Sequence, residues 1–273
     1  MGMLEGKCMV IIGAGERGSI GHAIAQRYAT EGAKVLIASR RGEACAEVAA
    51  ELGGLGAECD ITSRASVYAL FDHAKAALGG VDVAINSTGL ALGGPFLDYS
   101  EADMDRLIAL QFKGSFFFLQ AATALMKDAG GGSIIQLSSA VAQPGTTVDD
   151  GYEAYMGTKA GIDQVVRAVA NQFGRFQVRV NSICAGHTDT PMHQRNFDGG
   201  EIPQWMKNAF IEQYPLGRYG TTDDIAEAAV WLGRDECFMT GQALQVNGGL
   251  TLRRNPLRGD FERNEREWKR AHG

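Results

Sequence analysis

The sequence is short of the features that would mark several functional classes. Its five cysteines, Cys8, Cys45, Cys59, Cys184 and Cys237, are scattered, odd in number and never spaced as C-x-x-C. That argues against a disulfide frame or a metal site, and for reduced, buried thiols in a reducing compartment. Basic residues number 26 against 32 acidic ones, a net charge of −6, so the broad positive field that nucleic acid requires is missing. No apolar run approaches the roughly 20 residues of a membrane-spanning helix. The apolar run Cys8–Ala14 passes straight into glycines, unlike the core of a secretory signal. A cytoplasmic protein with no membrane partner is therefore expected. Prolines number only six. No Pro/Ser-rich linker and no internal repeat divides the chain, so one domain is expected over two.

What is present is an alternation of short apolar runs with helix-period segments. The pattern predicts strands at Cys8–Ile12, Val35–Ala38, Ala57–Asp60, Val81–Asn86, Ser133–Ser138, Val178–Cys184 and Ala243–Val246. It predicts helices at Ile20–Glu31, Gly42–Leu52, Ser63–Leu78, Asp103–Met126, Tyr152–Phe173 and Asp223–Gly233, several of them closed by glycine. Such alternation argues for an α/β fold, a doubly wound parallel sheet with helices on both faces, Rossmann-like and built as a single domain. The catalytic domain is expected over residues 1–251. An insertion at about 187–216, with a helix over Pro203–Glu212, stands where a substrate lid would sit. Residues 252–273, rich in arginine and glutamate, read as a charged extension that is solvated or contacts a second subunit.

Between the first strand and first helix lies Gly13-Ala-Gly15-Glu-Arg17-Gly18-Ser19-Ile20-Gly21. Glycines there permit close approach of backbone to a pyrophosphate, and the helix start supplies free N–H groups and a positive dipole end. At the end of the second strand an NAD enzyme of this build usually has an acid for the ribose hydroxyls. Here the residues are Ser39, Arg40 and Arg41. A planar guanidinium fork suits a 2′-phosphate that an acid would repel, and Arg17 adds a second positive group. NADP(H) is the expected cofactor, with NAD(H) the alternative.

Tyr155 and Lys159 stand four apart on one helix, so both side chains can enter one cavity. A free tyrosine ionises near pH 10 and is a poor acid–base group at neutrality. A neighbouring ammonium favours the phenolate, so a lowered pKa is expected. Ser138 and Ser139 end a strand shortly before this helix, at the edge where open sheets bind ligands, and a serine there can bond a substrate oxygen.

Taken together, these motifs resemble the short-chain dehydrogenase/reductase family over roughly Leu4–Leu250. The loop Gly13–Gly21 is similar to the family's glycine motif, though longer, with Ile12 where threonine is usual. Asp60-Ile61 resembles its adenine-holding pair, and Asn86-Ser-Thr-Gly89 its NNAG. Ala185-Gly186-His-Thr188-Asp-Thr190 resembles the segment that binds the carboxamide, with Ala185 for proline. The resemblance implies that Ser139, Tyr155 and Lys159 are the catalytic serine, tyrosine and lysine. It also implies that Lys159 bonds the nicotinamide ribose and that the assembly is a homotetramer. The family's relay asparagine falls at Gln111, which has the same amide on a longer stem. The substrate implied is a carbonyl compound or secondary alcohol.

Two rival readings exist. Relatives that reduce enoyl thioesters use a tyrosine seven residues before the lysine, and Tyr152 has that spacing to Lys159. A non-catalytic dinucleotide-binding regulator is the other. Intact Ser139, Tyr155 and Lys159 argue against it. The lid residues Met192, His193, Phe197, Ile202, Trp205, Met206 and Phe210 suggest a partly apolar pocket of medium size.

Overall fold

The computed structural model describes residues 2–143, 146, 148, 151–195 and 200–272. Phe197, singled out above, lies outside the described residues, as do Asp149, Asp150 and Gly199.

Seven strands are β1 (Cys8–Ile12), β2 (Lys34–Ser39), β3 (Leu55–Glu58), β4 (Val83–Asn86), β5 (Gly132–Ser139), β6 (Val178–Ala185) and β7 (Ala243–Val246). They form one parallel sheet in the order β3-β2-β1-β4-β5-β6-β7. The helices are α1 (Ile20–Thr30), α2 (Gly42–Glu51), α3 (Arg64–Leu78), α4 (Glu101–Leu107), α5 (Ser115–Ala129), α6 (Glu153–Phe173), α7 (Pro191–Gln194), α8 (Gln204–Ile211), α9 (Thr222–Gly233) and α10 (Arg258–His272). Among the described residues no helix is long and apolar enough to cross a membrane.

β1 is buried along its whole length because both its faces are covered. Met9 and Ile11 pack into a layer with α1, α2 and α9, while Val10 and Ile12 pack into the opposite layer with α3, α5 and α6. Tyr28 ties α1 to α9 by donating its buried hydroxyl to the Ala229 carbonyl at 2.7 Å. The chain leaves β1 for β2 on one side and later returns to β4 on the other. The crevice above this reversal, at the carboxyl ends of the strands, is where open α/β sheets bind ligands. All five cysteines are free and buried.

Three expectations are corrected. The predicted helix over Asp103–Met126 is broken into α4, a π-helical turn at Ile108–Gly114, and α5. A Cβ on Gly114 would come within 2.9 Å of the Ile61 carbonyl oxygen, so the turn packs tightly on the β3–α3 loop. β3 lies two residues earlier than predicted, because pairing with β2 sets Leu36 opposite Leu55 and Ser39 opposite Glu58. Asp60 then leaves the ladder and accepts from the Thr62 N–H and hydroxyl at 2.9 and 2.8 Å, closing a turn. α6 starts at Glu153 with Tyr152 as its cap residue and no side-chain cap bond. The charged extension forms α10, which packs against α8 of the 187–216 insertion within the same chain.

Candidate active site

A cleft of about 670 Å³ runs along the carboxyl edge of the sheet. The glycine loop forms its floor. Gly13 has φ +94°, and a Cβ there would sit 2.8 Å from the Ser87 carbonyl carbon, so only glycine fits. A Cβ on Gly21 would lie 2.4 Å from the Gly13 carbonyl oxygen, so α1 starts pressed against the loop. Ser19 caps α1 by accepting from the His22 N–H at 3.1 Å. This cradle fits a dinucleotide pyrophosphate, because backbone approaches closely and a helix N-terminus faces the cleft.

Of the residues predicted to hold a cofactor, Gly13, Ser19, Ile20, Ser39, Arg40, Asp60, Ile61, Gly89, Tyr155, Lys159 and Thr190 line this cleft. Arg17, Gly18, Asn86, Gly186 and Thr188 do not. Arg17 is exposed and pairs with Glu51, which removes it from the expected 2′-phosphate site. Asn86 is fully buried beneath the cleft. It donates to Ser115 and Gln136 at 3.0 Å each and accepts from the Thr88 N–H and hydroxyl at 3.0 and 2.7 Å. It therefore shapes the wall and does not face it. Thr188 turns its hydroxyl to the Gly186 carbonyl at 3.1 Å. The Ser39 hydroxyl is also engaged, accepting from the Arg41 N–H and the Cys45 thiol at 3.1 Å each.

Arg41, named with Arg40 at the end of the second strand, lines the cleft beside it. Sequence reasoning missed an ion pair between Glu16 of the glycine loop and Arg195 just after α7, two cleft-lining residues far apart in sequence. No local pattern announces a contact of that separation.

A second cavity of about 360 Å³ opens beside the first. Tyr155 lines both. The β5 end and α6 build their junction. Ser138 is committed elsewhere, donating to Asp163 at 2.8 Å. Ser139 and Tyr155 both line the second cavity. Lys159 is buried and donates to the Leu137 carbonyl at 2.8 Å, with its ammonium 5.9 Å from the centre of the Tyr155 ring. The expected lowering of the Tyr155 pKa is not met. Burial pushes its hydroxyl up to about 12, and the neighbouring Ser139 hydroxyl offsets this only in part. Burial likewise pushes Lys159 down to about 8, against the pull of Asp163 one turn on. Desolvation is the largest effect on both groups; nearby charge opposes it at Lys159 and adds to it at Tyr155.

Gln111 lines neither cavity. It is buried on the π-helical turn and donates to the Thr158 hydroxyl at 3.0 Å, which in turn donates to the Tyr155 carbonyl at 2.8 Å. Its amide oxygen is buried without a hydrogen-bond partner. Tyr152 also lines the second cavity and meets Tyr155 edge-on, ring centres 6.0 Å apart. The far wall comes from the lid and beyond it: His193, Ile202, Met206 and Phe210, with Tyr219 and Phe261. Among the described residues, no group of three His, Cys, Asp or Glu could hold a metal ion.

Residues 13–251 match a family model described as enoyl-(acyl carrier protein) reductase. A D-threitol dehydrogenase of Mycolicibacterium smegmatis is 34% identical, across 92% of this chain and 95% of its own length. The chain belongs to the short-chain dehydrogenase/reductase family. A mouse (3R)-3-hydroxyacyl-CoA dehydrogenase is 31% identical, across 91% of this chain and 98% of its own. Among solved structures, a putative short-chain alcohol dehydrogenase from Sinorhizobium meliloti superposes with a TM-score of 0.81 at 30% identity, covering 92% of this chain and 98% of that one. The protein is accordingly an oxidoreductase of a family whose members use NAD(P)(H). The family match ends at residue 251, just short of the segment that carries Phe261.

Proposed function

We propose that the protein moves a hydride between NADP(H) and a carbonyl or secondary-alcohol substrate. The observation that carries this reading is the position of Tyr155, which lines both the dinucleotide cleft and the second cavity, with Ser139 lining the second cavity beside it and Lys159 the cleft. The dinucleotide, when bound, supplies or accepts the hydride. In reduction, negative charge develops on the substrate oxygen, and the protonated Tyr155 hydroxyl gives that oxygen its proton. Ser139 donates a hydrogen bond to the same oxygen as the charge grows. Lys159 holds positive charge beside the phenol at neutral pH and reaches the ribose side of the cleft. Gln111 acts through Thr158, fixing the turn of α6 that carries Tyr155. Arg40 and Arg41 bind the 2′-phosphate, and Gly13, Ser19 and the start of α1 bind the pyrophosphate.

A screen of ketones, secondary alcohols and enoyl thioesters with all four nicotinamide nucleotides tests the reading. Turnover of enoyl thioesters alone would replace it. Tyr152, lining the same cavity, supports that second reading, but Tyr155 lines the dinucleotide cleft as well and Tyr152 does not. For assembly we propose a homotetramer. Met104, Ile108 and Phe116 are exposed by 36, 41 and 39% at helical spacing along α4 to α5, an apolar stripe suited to a second copy. Sedimentation giving a stable monomer at micromolar concentration contradicts it.

A further inference from the structure

We propose that the C-terminal segment beyond the family match, through Phe261, is part of the substrate site, and that this site takes an uncharged, largely apolar ketone or secondary alcohol. The inference rests on the reading that Tyr155 serves a carbonyl oxygen. Phe261 of α10 lines the cavity and packs edge-on against Phe210 of α8, ring centres 5.4 Å apart. Phe210 in turn lies 3.7 Å, centre to centre, from the His187 ring. The tail thus reaches the cavity through a ring that forms part of its wall.

The contact is anchored. Glu212, which follows α8, pairs with Arg263 and accepts from Asn264 at 3.2 Å, and its carbonyl accepts from Arg253 at 3.1 Å. Asp260 is buried at the start of α10, where it accepts from the Leu257 N–H at 2.9 Å and pairs with Arg254. The lid helix is held from behind by the tail, so removing Phe261 opens space and does not release a flap.

The chemistry of the wall sets the substrate class. Among the described residues, no Asp, Glu, Lys or Arg lines this cavity. Its polar groups are hydroxyls and the imidazoles of His187 and His193, both held neutral by burial. A charged group entering would lose its hydration without a counter-ion. The size, about 360 Å³, suits a compact molecule.

The test measures kcat/KM for acetophenone, 2-acetylnaphthalene, acetoacetate and threitol in the intact protein, Phe261→Ala and Phe261→Trp, with Phe261→Leu in reserve should the alanine variant not fold. Phe261→Ala is expected to raise the 2-acetylnaphthalene to acetophenone ratio at least tenfold, and Phe261→Trp to lower it, while the NADPH dissociation constant stays within twofold. A ratio unmoved by both variants overturns the role of the tail, and better turnover of acetoacetate or threitol overturns the substrate class. Calorimetric binding of acetophenone separates the two layers. Binding that depends on residue 261 without turnover sinks the proposed reaction and keeps this inference. Turnover indifferent to residue 261 does the reverse, and no binding with no turnover sinks both.

Discussion

The two cavities that meet at Tyr155 are built in opposite ways. The dinucleotide cleft is charged and glycine-floored, and its residues come mostly from the ends of β1 to β5, each a few residues from a recognisable strand. The second cavity is mostly apolar and draws on β5, α6, β6, the lid, the segment before α9, and α10. The first is a cradle for one ligand chemistry. The second is a wall assembled from distant pieces, which lets its shape vary while the chemistry at Tyr155 stays fixed.

The sharpest way to break this contrast is at the junction. Tyr155→Phe keeps the ring and removes the proton donor, so turnover should fall by roughly two to four orders of magnitude while cofactor still binds. Tyr152→Phe should have a mild effect. Both are measured on the best ketone and the best enoyl substrate, and reversed severities would make the second cavity an enoyl site.

The next largest effect belongs to the cleft. Arg40→Asp should shift the ratio of kcat/KM from NADPH towards NADH by roughly tenfold to a hundredfold, the worth of a charge-assisted hydrogen bond. Higher efficiency with NADH in the unmutated protein removes the assignment. The Glu16–Arg195 pair that bridges the cleft is largely exposed on its arginine side. Arg195→Ala should therefore change the cofactor dissociation constant by no more than roughly fivefold. A larger change would mean that the bridge holds the ligand in place.

The smallest effect concerns stability on the apolar side. Burial pushes His187 down to about 3, with His193 adding to the shift. The unfolded chain takes up this proton near pH 6.5, whereas the folded one does not until about pH 3. The unfolded state therefore binds more protons across that window, and stability falls as pH drops from 6.5 towards 3. His187→Gln should remove about 1.4 kcal/mol per pH unit from that slope in urea unfolding. An unchanged slope would mean that His187 takes up its proton in the folded protein as readily as in the unfolded chain.

Much of the cleft was legible because its signals are local. Glycine at 13, hydroxyls at 19 and 139, and Tyr155 four before Lys159 act within one turn or one strand end, and the backbone places them together wherever the sheet forms. The misreadings have a common cause. Arg17 is two residues from a glycine of the loop, yet Glu51 captures it. Asn86 lies in a recognisable segment, yet turns inward to bond buried partners, and the Thr188 hydroxyl bonds the Gly186 carbonyl. Direction of a side chain depends on what lies opposite, and sequence spacing does not carry that information.

The sequence by itself determined the strand–helix alternation, the parallel sheet and the Tyr155–Lys159 face, since hydrophobic period and glycine placement act over a few residues. The tertiary structure alone decided which arginines face the cleft and that burial raises the Tyr155 pKa. It alone decided that a charged tail folds back as α10 to bring Phe261 against Phe210. Desolvation and long-range packing arise only when segments far apart in the chain exclude water from the same place.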